Sequence, residues 1–162
     1  MNIYYTIELL PEEYEGTPVQ KADRSRFTDF LNGKGCNCIV NAMTARINRI
    51  TGAEKSKWVI CFLPSSDDAV NCYKRVASGI EQGTGVRAAI DSISRKNNSY
   101  TDSVADFDYS TNYFAGKNVI LIEDVVNKGV AINSVARRLI NLGATSVTGF
   151  AVAKTINPSW AA

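Results

Sequence analysis

The sequence contains no histidine among its 162 residues. Without an imidazole, catalysis by a serine–histidine–aspartate triad or by a cysteine–histidine pair is excluded. Most transition-metal sites are excluded as well, because histidine is their commonest protein ligand. The absence of histidine therefore removes two large classes of catalytic centre.

Cysteine is also scarce, with four residues at Cys36, Cys38, Cys61 and Cys72. Cys36 and Cys38 form a C-x-C pair, and no second pair stands at the spacing of a zinc site. One interpretation is a metal or redox site at this pair. The interpretation we expect is four reduced thiols, with Cys61 and Cys72 as small core residues.

The chain lacks a strong net charge and a long apolar run. A formal net charge of +2 gives no overall electrostatic case for nucleic acid or an anionic membrane. No apolar run approaches the roughly 20 residues of a membrane span, and no basic segment precedes an apolar one at the N-terminus. We therefore expect a cytosolic protein, residues 1–162 forming one domain, without membrane or direct nucleic-acid partners.

Apolar residues alternate between strand-like runs and helical stripes. This alternation predicts an α/β fold with a mostly parallel sheet covered by helices on both faces. No element is predicted for residues 11–35. The predicted strands are residues 2–10, 58–63, 86–90, 118–122 and 146–153, and the predicted helices are residues 37–50, 65–83 and 130–142.

Residues 91–117 form a long polar segment. A loop or floppy hairpin of this length inside a compact domain is either functional or disordered. Phe107, Phe114 and several tyrosines argue against plain disorder. We expect a functional loop.

Two carboxylates, Glu123 and Asp124, follow the apolar strand that we expect to end at Ile122. Ligands of open α/β sheets bind beyond the carboxyl ends of strands, and the helix predicted to begin near Gly129 offers an anion seat. Two hydrogen-bond acceptors for hydroxyls beside a phosphate-binding helix start would suit a ribose 5-phosphate. The alternative is a capping or solvated role, since neighbouring strand residues point to opposite faces unless the strand turns at Ile122.

The stretch "VILIEDVVNKG", residues 119–129, resembles the signature of type I phosphoribosyltransferases. The preceding "STNYFAGK" is similar to the approach to that signature in purine-salvage members. The resemblance spans about residues 58–158. It implies a transferase of nucleotide metabolism, with a core at about residues 57–156 and a hood or flanking region at residues 1–56.

The resemblance also implies roles for individual residues. The carboxylates Glu123 and Asp124 would bind the ribose hydroxyls of phosphoribosyl pyrophosphate. The loop that would wrap its 5-phosphate consists of Asn127, Lys128, Gly129, Val130 and Ala131.

The segment "LPSS" stands where the family places its pyrophosphate loop, here Pro64, Ser65 and Ser66. The segment "NNSY" is similar to the flexible loop of hypoxanthine-type enzymes, and contributes Ser99 and Tyr100. Arg95 and Lys96, just before it, would reach the pyrophosphate or remain solvated surface cations.

The implied cofactor is Mg²⁺, held mainly by ligand and water without a direct protein ligand. The implied partners are phosphoribosyl pyrophosphate and a nucleobase-like acceptor, whose pocket would come from the N-terminal segment or the C-terminal tail. Trp160 is a candidate for stacking on the base or for surface packing. A homodimer is a further expectation of the family.

The loop departs from the family pattern, because hydroxyl residues usually stand where this chain has Lys128 and Ala131. Purine-type enzymes carry an acidic residue at the position of Asn127, which cannot act as a general base. These departures leave open a non-catalytic regulator on the same fold. A ComF-like DNA-uptake protein and a flavodoxin-like phosphate binder are further alternatives.

Overall fold

The computed structural model describes residues 1–96 and 106–158. Within these ranges the chain forms seven strands and four α-helices. None of these helices is long and apolar enough to cross a bilayer. In chain order the elements are β1 Ile3–Leu9, α1 Pro18–Leu31, α2 Cys36–Thr51, β2 Trp58–Phe62, α3 Asp67–Thr84, β3 Ala88–Ala89, β4 Ile93–Arg95, β5 Phe107–Tyr109, β6 Asn118–Val126, α4 Val130–Asn141 and β7 Ser146–Thr155.

Five strands form one sheet in the order β1-β7-β6-β2-β3, and every neighbouring pair is parallel. The strands β4 and β5 form a separate antiparallel ribbon. Because all five carboxyl ends lie along one edge, the segments that follow β2 and β6 are brought together there. The predicted α/β class with a parallel sheet is confirmed.

Helices cover both faces of the sheet. The first face packs against α1, α2 and α3 through side chains such as Phe30, Met43 and Ile80. The second packs against α4 and the ribbon through side chains such as Leu139 and Phe107. Two covered faces explain why β2 and most of β6 are apolar without alternation.

The helix α1 lies in a segment for which the sequence prediction assigned no element. Its start carries a capping box: the Thr17 hydroxyl accepts from the Gln20 amide, and the Gln20 side chain accepts from the Thr17 amide. Pro18 occupies the first turn, where its missing N–H costs nothing. The T-P-x-Q pattern of residues 17–20 could therefore have predicted the start of this helix. The helix was missed because its apolar residues form only a weak stripe.

The other predicted helices are confirmed with ends shifted by a few residues, and the predicted 86–90 strand shortens to β3. The described part of the long polar segment contributes the β4–β5 ribbon and a 3₁₀ turn at Thr111–Tyr113. Ser99, Tyr100 and Trp160 lie outside the described residues. The division into a hood and a core remains a prediction, although β1 pairs directly with β7.

The strand β6 runs four residues beyond its predicted end at Ile122. Its extension pairs with β7 through Glu123↔Ala151 and Val126↔Lys154. The expectation that the chain turns at Ile122 is therefore wrong. The reason is tertiary: a central strand gains a continuous ladder with its neighbour, which outweighs the poor strand propensity of two carboxylates.

Candidate active site

Glu123 and Asp124 lie inside β6, near its carboxyl end, and each is only 7% exposed. Two adjacent carboxylates with so little access to water are unusual, because burying charge is costly without compensating partners. Such a pair indicates a functional role for this end of the sheet.

The alternation of faces along β6 is interrupted at the carboxylates. Ile122 and Val125 both pack into the core cluster on the α1–α3 face, although an odd spacing should place them on opposite faces. Val126 packs with Leu121 on the α4 face. The strand therefore rotates between Ile122 and Val125 without ending. As a result, the two carboxylates need not point in opposite directions.

Asp124 is joined to the loop between β2 and α3. The hydroxyl of Ser65 donates a hydrogen bond of 2.9 Å to Asp124 Oδ1. The two residues are 59 positions apart in sequence. The predicted pyrophosphate loop and one predicted ribose carboxylate are thus in contact.

Glu123 faces the segment that follows β6. It lines a cavity of about 270 Å³ together with residues 125–131, which include the whole predicted phosphate loop. A neighbouring cavity of about 130 Å³ adds Lys154, from the end of β7, beside Lys128 and Gly129. Sequence reasoning missed Lys154, and its place at the carboxyl end of a parallel strand was the available signal.

Gly129 makes the turn from β6 into α4. Its φ of 72° lies in the left-handed region, and a Cβ there would stand 3.1 Å from Ile3 Cδ1, so glycine is required. Gly129 has no side chain to cap the helix, and its carbonyl accepts from the side-chain amide of Asn133 at 2.7 Å. The backbone N–H groups in the first turn of α4 can therefore bind an anion. Asn127 and Lys128 are exposed beside them.

The predicted pyrophosphate loop serves more than one purpose. Ser66 caps α3, since its hydroxyl accepts from the Ala69 amide at 3.1 Å. Asp67 and Asp68 follow in the first turn of α3, where they complement the helix dipole and oppose an anion. Among the three predicted residues, Ser65 is the one bonded to a site carboxylate.

Arg95 and Lys96 lie on the ribbon. Arg95 donates to the carbonyl oxygens of Pro64 and Ser65, so that β4 is held against the pyrophosphate loop. The Lys96 ammonium lies 3.9 Å from Asp108 across the ribbon. The structure thus places Arg95 against the pyrophosphate loop, and Lys96 lines a cavity of about 280 Å³ together with Arg95 and Pro64.

Tyr73 is a buried residue of α3 in this region. Its hydroxyl donates to the carbonyl oxygen of Leu63 at 3.0 Å. Burial raises the pKa of Tyr73 well above its ordinary value, and the charges of Asp124 and Glu123 raise it further. The phenol therefore stays neutral and is a fixed donor to the Leu63 carbonyl.

The donor atoms suit a magnesium ion bound together with a phosphorylated ligand. Among the described residues, no group of three or more His, Cys, Asp or Glu side chains could hold a metal. Mg²⁺ typically uses one or two protein carboxylates and takes its other ligands from phosphates and water. Glu123 and Asp124 fit that requirement.

Comparison with solved structures finds phosphoribosyltransferases. The chain is 16% identical to a hypoxanthine-guanine phosphoribosyltransferase from Bacillus anthracis, covering 81% of this chain and 79% of that one, with a TM-score of 0.49. It is 17% identical to a hypoxanthine phosphoribosyltransferase from Staphylococcus aureus, covering 82% and 76%, with a TM-score of 0.48. No curated protein matches the sequence significantly.

The family match is independent of those structures. The family model of the phosphoribosyl transferase domain matches residues 39–155, from α2 to the end of β7. The match covers well over half of the sequence, both carboxylates and both predicted phosphate-binding loops. The chain belongs to the phosphoribosyl transferase domain family.

Proposed function

We propose that this protein binds phosphoribosyl pyrophosphate with Mg²⁺ and transfers the phosphoribosyl group to a nucleobase. The observation that carries the proposal is the position of the buried carboxylate pair. Glu123 lines the cavity of the 5-phosphate loop, while Asp124 accepts a hydrogen bond from the pyrophosphate loop. A sugar held by the pair would therefore have one phosphate-binding segment on each side.

Each element of the site would have a distinct task. Glu123 and Asp124 accept hydrogen bonds from the ribose hydroxyls and stabilise positive charge that develops at C1. The amides of residues 129–131 and the Lys128 ammonium hold the 5-phosphate. When bound, Mg²⁺ would supply charge neutralisation for the departing pyrophosphate. Burial of the pair limits the access of water to the reacting carbon.

The acceptor nucleobase would bind between the chain segments that leave the same edge of the sheet. The amide of Ile156 donates to the carbonyl oxygen of Leu9 at 3.0 Å, so the segments after β1 and β7 start side by side. Arg24 shapes the first of them through hydrogen bonds to the carbonyls of Leu10, Pro11 and Tyr14. The segment after β1 belongs to the hood predicted at residues 1–56.

A second candidate function is binding of phosphoribosyl pyrophosphate without turnover, as in a regulator. The composition of the phosphate loop favours it: Lys128 and Ala131 stand where hydroxyl residues are expected, and Asn127 offers no general base. In this case the protein would sense the ligand rather than consume it.

The two candidates are separated by pyrophosphate release. The protein is incubated with phosphoribosyl pyrophosphate, Mg²⁺ and a panel of nucleobases, and released pyrophosphate is measured. We expect release that depends on one class of base and falls at least tenfold in Asp124→Asn. The exposed Glu54→Gln, whose carboxylate pairs with Lys57 away from the site, is the matched control. Tight binding of phosphoribosyl pyrophosphate, with no pyrophosphate released in the presence of any of the bases, would favour the regulator.

A further inference from the structure

Arg95, the last residue of β4, connects the ribbon to the loop between β2 and α3. Its Nε donates to the carbonyl oxygen of Pro64 at 2.5 Å, and its Nη2 donates to that of Ser65 at 2.5 Å. Its guanidinium carbon lies 5.3 Å from the centre of the Phe107 ring on β5. A planar, two-pronged donor held against a ring fixes both carbonyls in one orientation.

Apart from the Ser65 hydroxyl, which is bonded to Asp124, the other anchors hold the two ends of this loop. Leu63 is held by its amide, which donates to Ile122 at 2.8 Å, and by its carbonyl, which accepts from Tyr73. Ser66 is held as the cap of α3. Between these ends Pro64 has no N–H, and the Ser65 amide turns back to the Leu63 carbonyl at 2.8 Å. The orientation of the backbone carbonyls in the middle of the loop therefore depends on Arg95.

The two carbonyls also decide where the polar groups of the loop point. The described peptide bonds are trans, and the C=O and N–H of a trans peptide point in opposite directions. Because the Ser65 carbonyl faces Arg95, the Ser66 N–H faces away from the ribbon. The Ser65 hydroxyl meanwhile lies on Asp124. Arg95 thus sets the geometry of the loop toward the carboxylate pair.

We propose that Arg95 is a positioning residue for the pyrophosphate half of the ligand, acting through the backbone of Pro64 and Ser65 and not by direct contact. This role rests on the proposed function and refines it. It differs from the expectation that Arg95 itself reaches the pyrophosphate. The guanidinium also places a fixed positive charge behind the loop, which favours an anion in front of it.

The test compares two ligands that differ in the pyrophosphate group. Arg95→Lys keeps the positive charge but cannot hold two carbonyls in a fixed fork. We expect calorimetry to show phosphoribosyl pyrophosphate binding about tenfold more weakly, the equivalent of one hydrogen bond, and ribose 5-phosphate binding within about twofold of wild type. Arg87→Lys is the matched control, since Arg87 also stacks on a ring, Tyr113, at 4.8 Å.

A double-mutant cycle separates positioning from contact. If Arg95 acts through the loop, Ser65→Ala will weaken binding in the wild-type background and have almost no further effect in Arg95→Lys. Additive effects would show direct contact and overturn the proposal. Equal losses for both ligands, or no loss for either, would also overturn it. A wild-type protein that binds ribose 5-phosphate and phosphoribosyl pyrophosphate equally contradicts this inference alone, whereas one that binds neither contradicts the proposed function as well.

Discussion

The two halves of the candidate site are built in different ways. The ribose and 5-phosphate half is one continuous stretch of chain, from Glu123 to Ala131, set by a strand, a glycine turn and a helix start. The proposed pyrophosphate half combines the β2–α3 loop and Tyr73 of the helix after it with Arg95 of the ribbon, which lies 31 positions after Pro64 in the sequence. The first half depends on local geometry, and the second depends on long-range hydrogen bonds.

The largest effect should come from neutralising the carboxylate pair, which both halves share. We expect Glu123→Gln combined with Asp124→Asn to weaken phosphoribosyl pyrophosphate binding by about 100-fold, through the loss of two charge-assisted hydrogen bonds. The same variant should be more stable by about 1 kcal/mol, because two adjacent buried charges no longer repel. Calorimetry and urea unfolding measure the two effects, with Glu54→Gln as the control. Loss of stability in parallel with loss of binding would contradict this account.

The second effect tests the long-range half alone. Tyr73→Phe removes one of the two donors to the Leu63 carbonyl and keeps the Ser65 amide, and we expect it to lower the free energy of unfolding by about 1 kcal/mol. Phosphoribosyl pyrophosphate binding should weaken more than ribose 5-phosphate binding, since Leu63 leads into the pyrophosphate loop. Tyr113→Phe serves as the control. Equal weakening of the two ligands would show that Tyr73 supports the whole site.

Tyr73 also predicts a pH dependence of stability. Its pKa is raised in the folded state, so the unfolded chain ionises first, and its contribution is complete below pH 10 and lost as pH rises further. Burial raises the pKa of Cys61 to about 11 and that of Cys72 to about 12, from 9.0, which adds a loss of the same sign above pH 9. Urea unfolding between pH 8 and 11 should show this decline, and a shallower one in Tyr73→Phe. Identical slopes would refute the assignment.

Two neighbouring serines sharpen the comparison further. Ser65→Ala removes the hydrogen bond to Asp124 and should weaken phosphoribosyl pyrophosphate binding by roughly fivefold with little change in stability. Ser66→Ala removes the cap of α3 and should lower the free energy of unfolding by about 1 kcal/mol with a smaller effect on binding. Thermal unfolding and calorimetry on both variants provide the check. An exchange of these two outcomes would mean that the roles are reversed.

The smallest effect should come from Lys128, which is exposed beside the 5-phosphate cavity. We expect Lys128→Gln to weaken ribose 5-phosphate binding by about threefold, since an exposed ion pair contributes less than about 1 kcal/mol. The difference should vanish at high salt. Titrations in low and high salt would measure it, and a salt-independent loss would point to a hydrogen-bonding role instead.

The same contrast explains how much of the site the sequence could predict. The carboxylates, Gly129 and the helix after it follow one another in the sequence, so strand and helix patterns placed them next to each other. The contact of Ser65 with Asp124 and the position of Arg95 depend on which strands become neighbours, and no local pattern encodes that. The missed helix α1 had a local signal in Thr17 and Gln20 but only a weak apolar stripe.

The end of β6 was predicted wrongly for a physical reason of the same kind. Two carboxylates argue against a strand when their neighbours are unknown, and pairing with β7 outweighs that preference. The strand accommodates both through its rotation between Ile122 and Val125, where the regular alternation of faces is lost. The sequence therefore pointed to residues that lie together at this end of the sheet, and the pairing of strands determined how they are presented. Their roles in ligand binding stay a prediction.

The most direct test of the central claim is calorimetry of the wild-type protein with three ligands in the presence of Mg²⁺: ribose 5-phosphate, inorganic pyrophosphate and phosphoribosyl pyrophosphate. If the carboxylate pair joins two phosphate-binding segments, phosphoribosyl pyrophosphate will bind at least tenfold more tightly than either fragment, because one molecule engages both. Binding of phosphoribosyl pyrophosphate no tighter than that of ribose 5-phosphate, or no binding at all, would contradict the account.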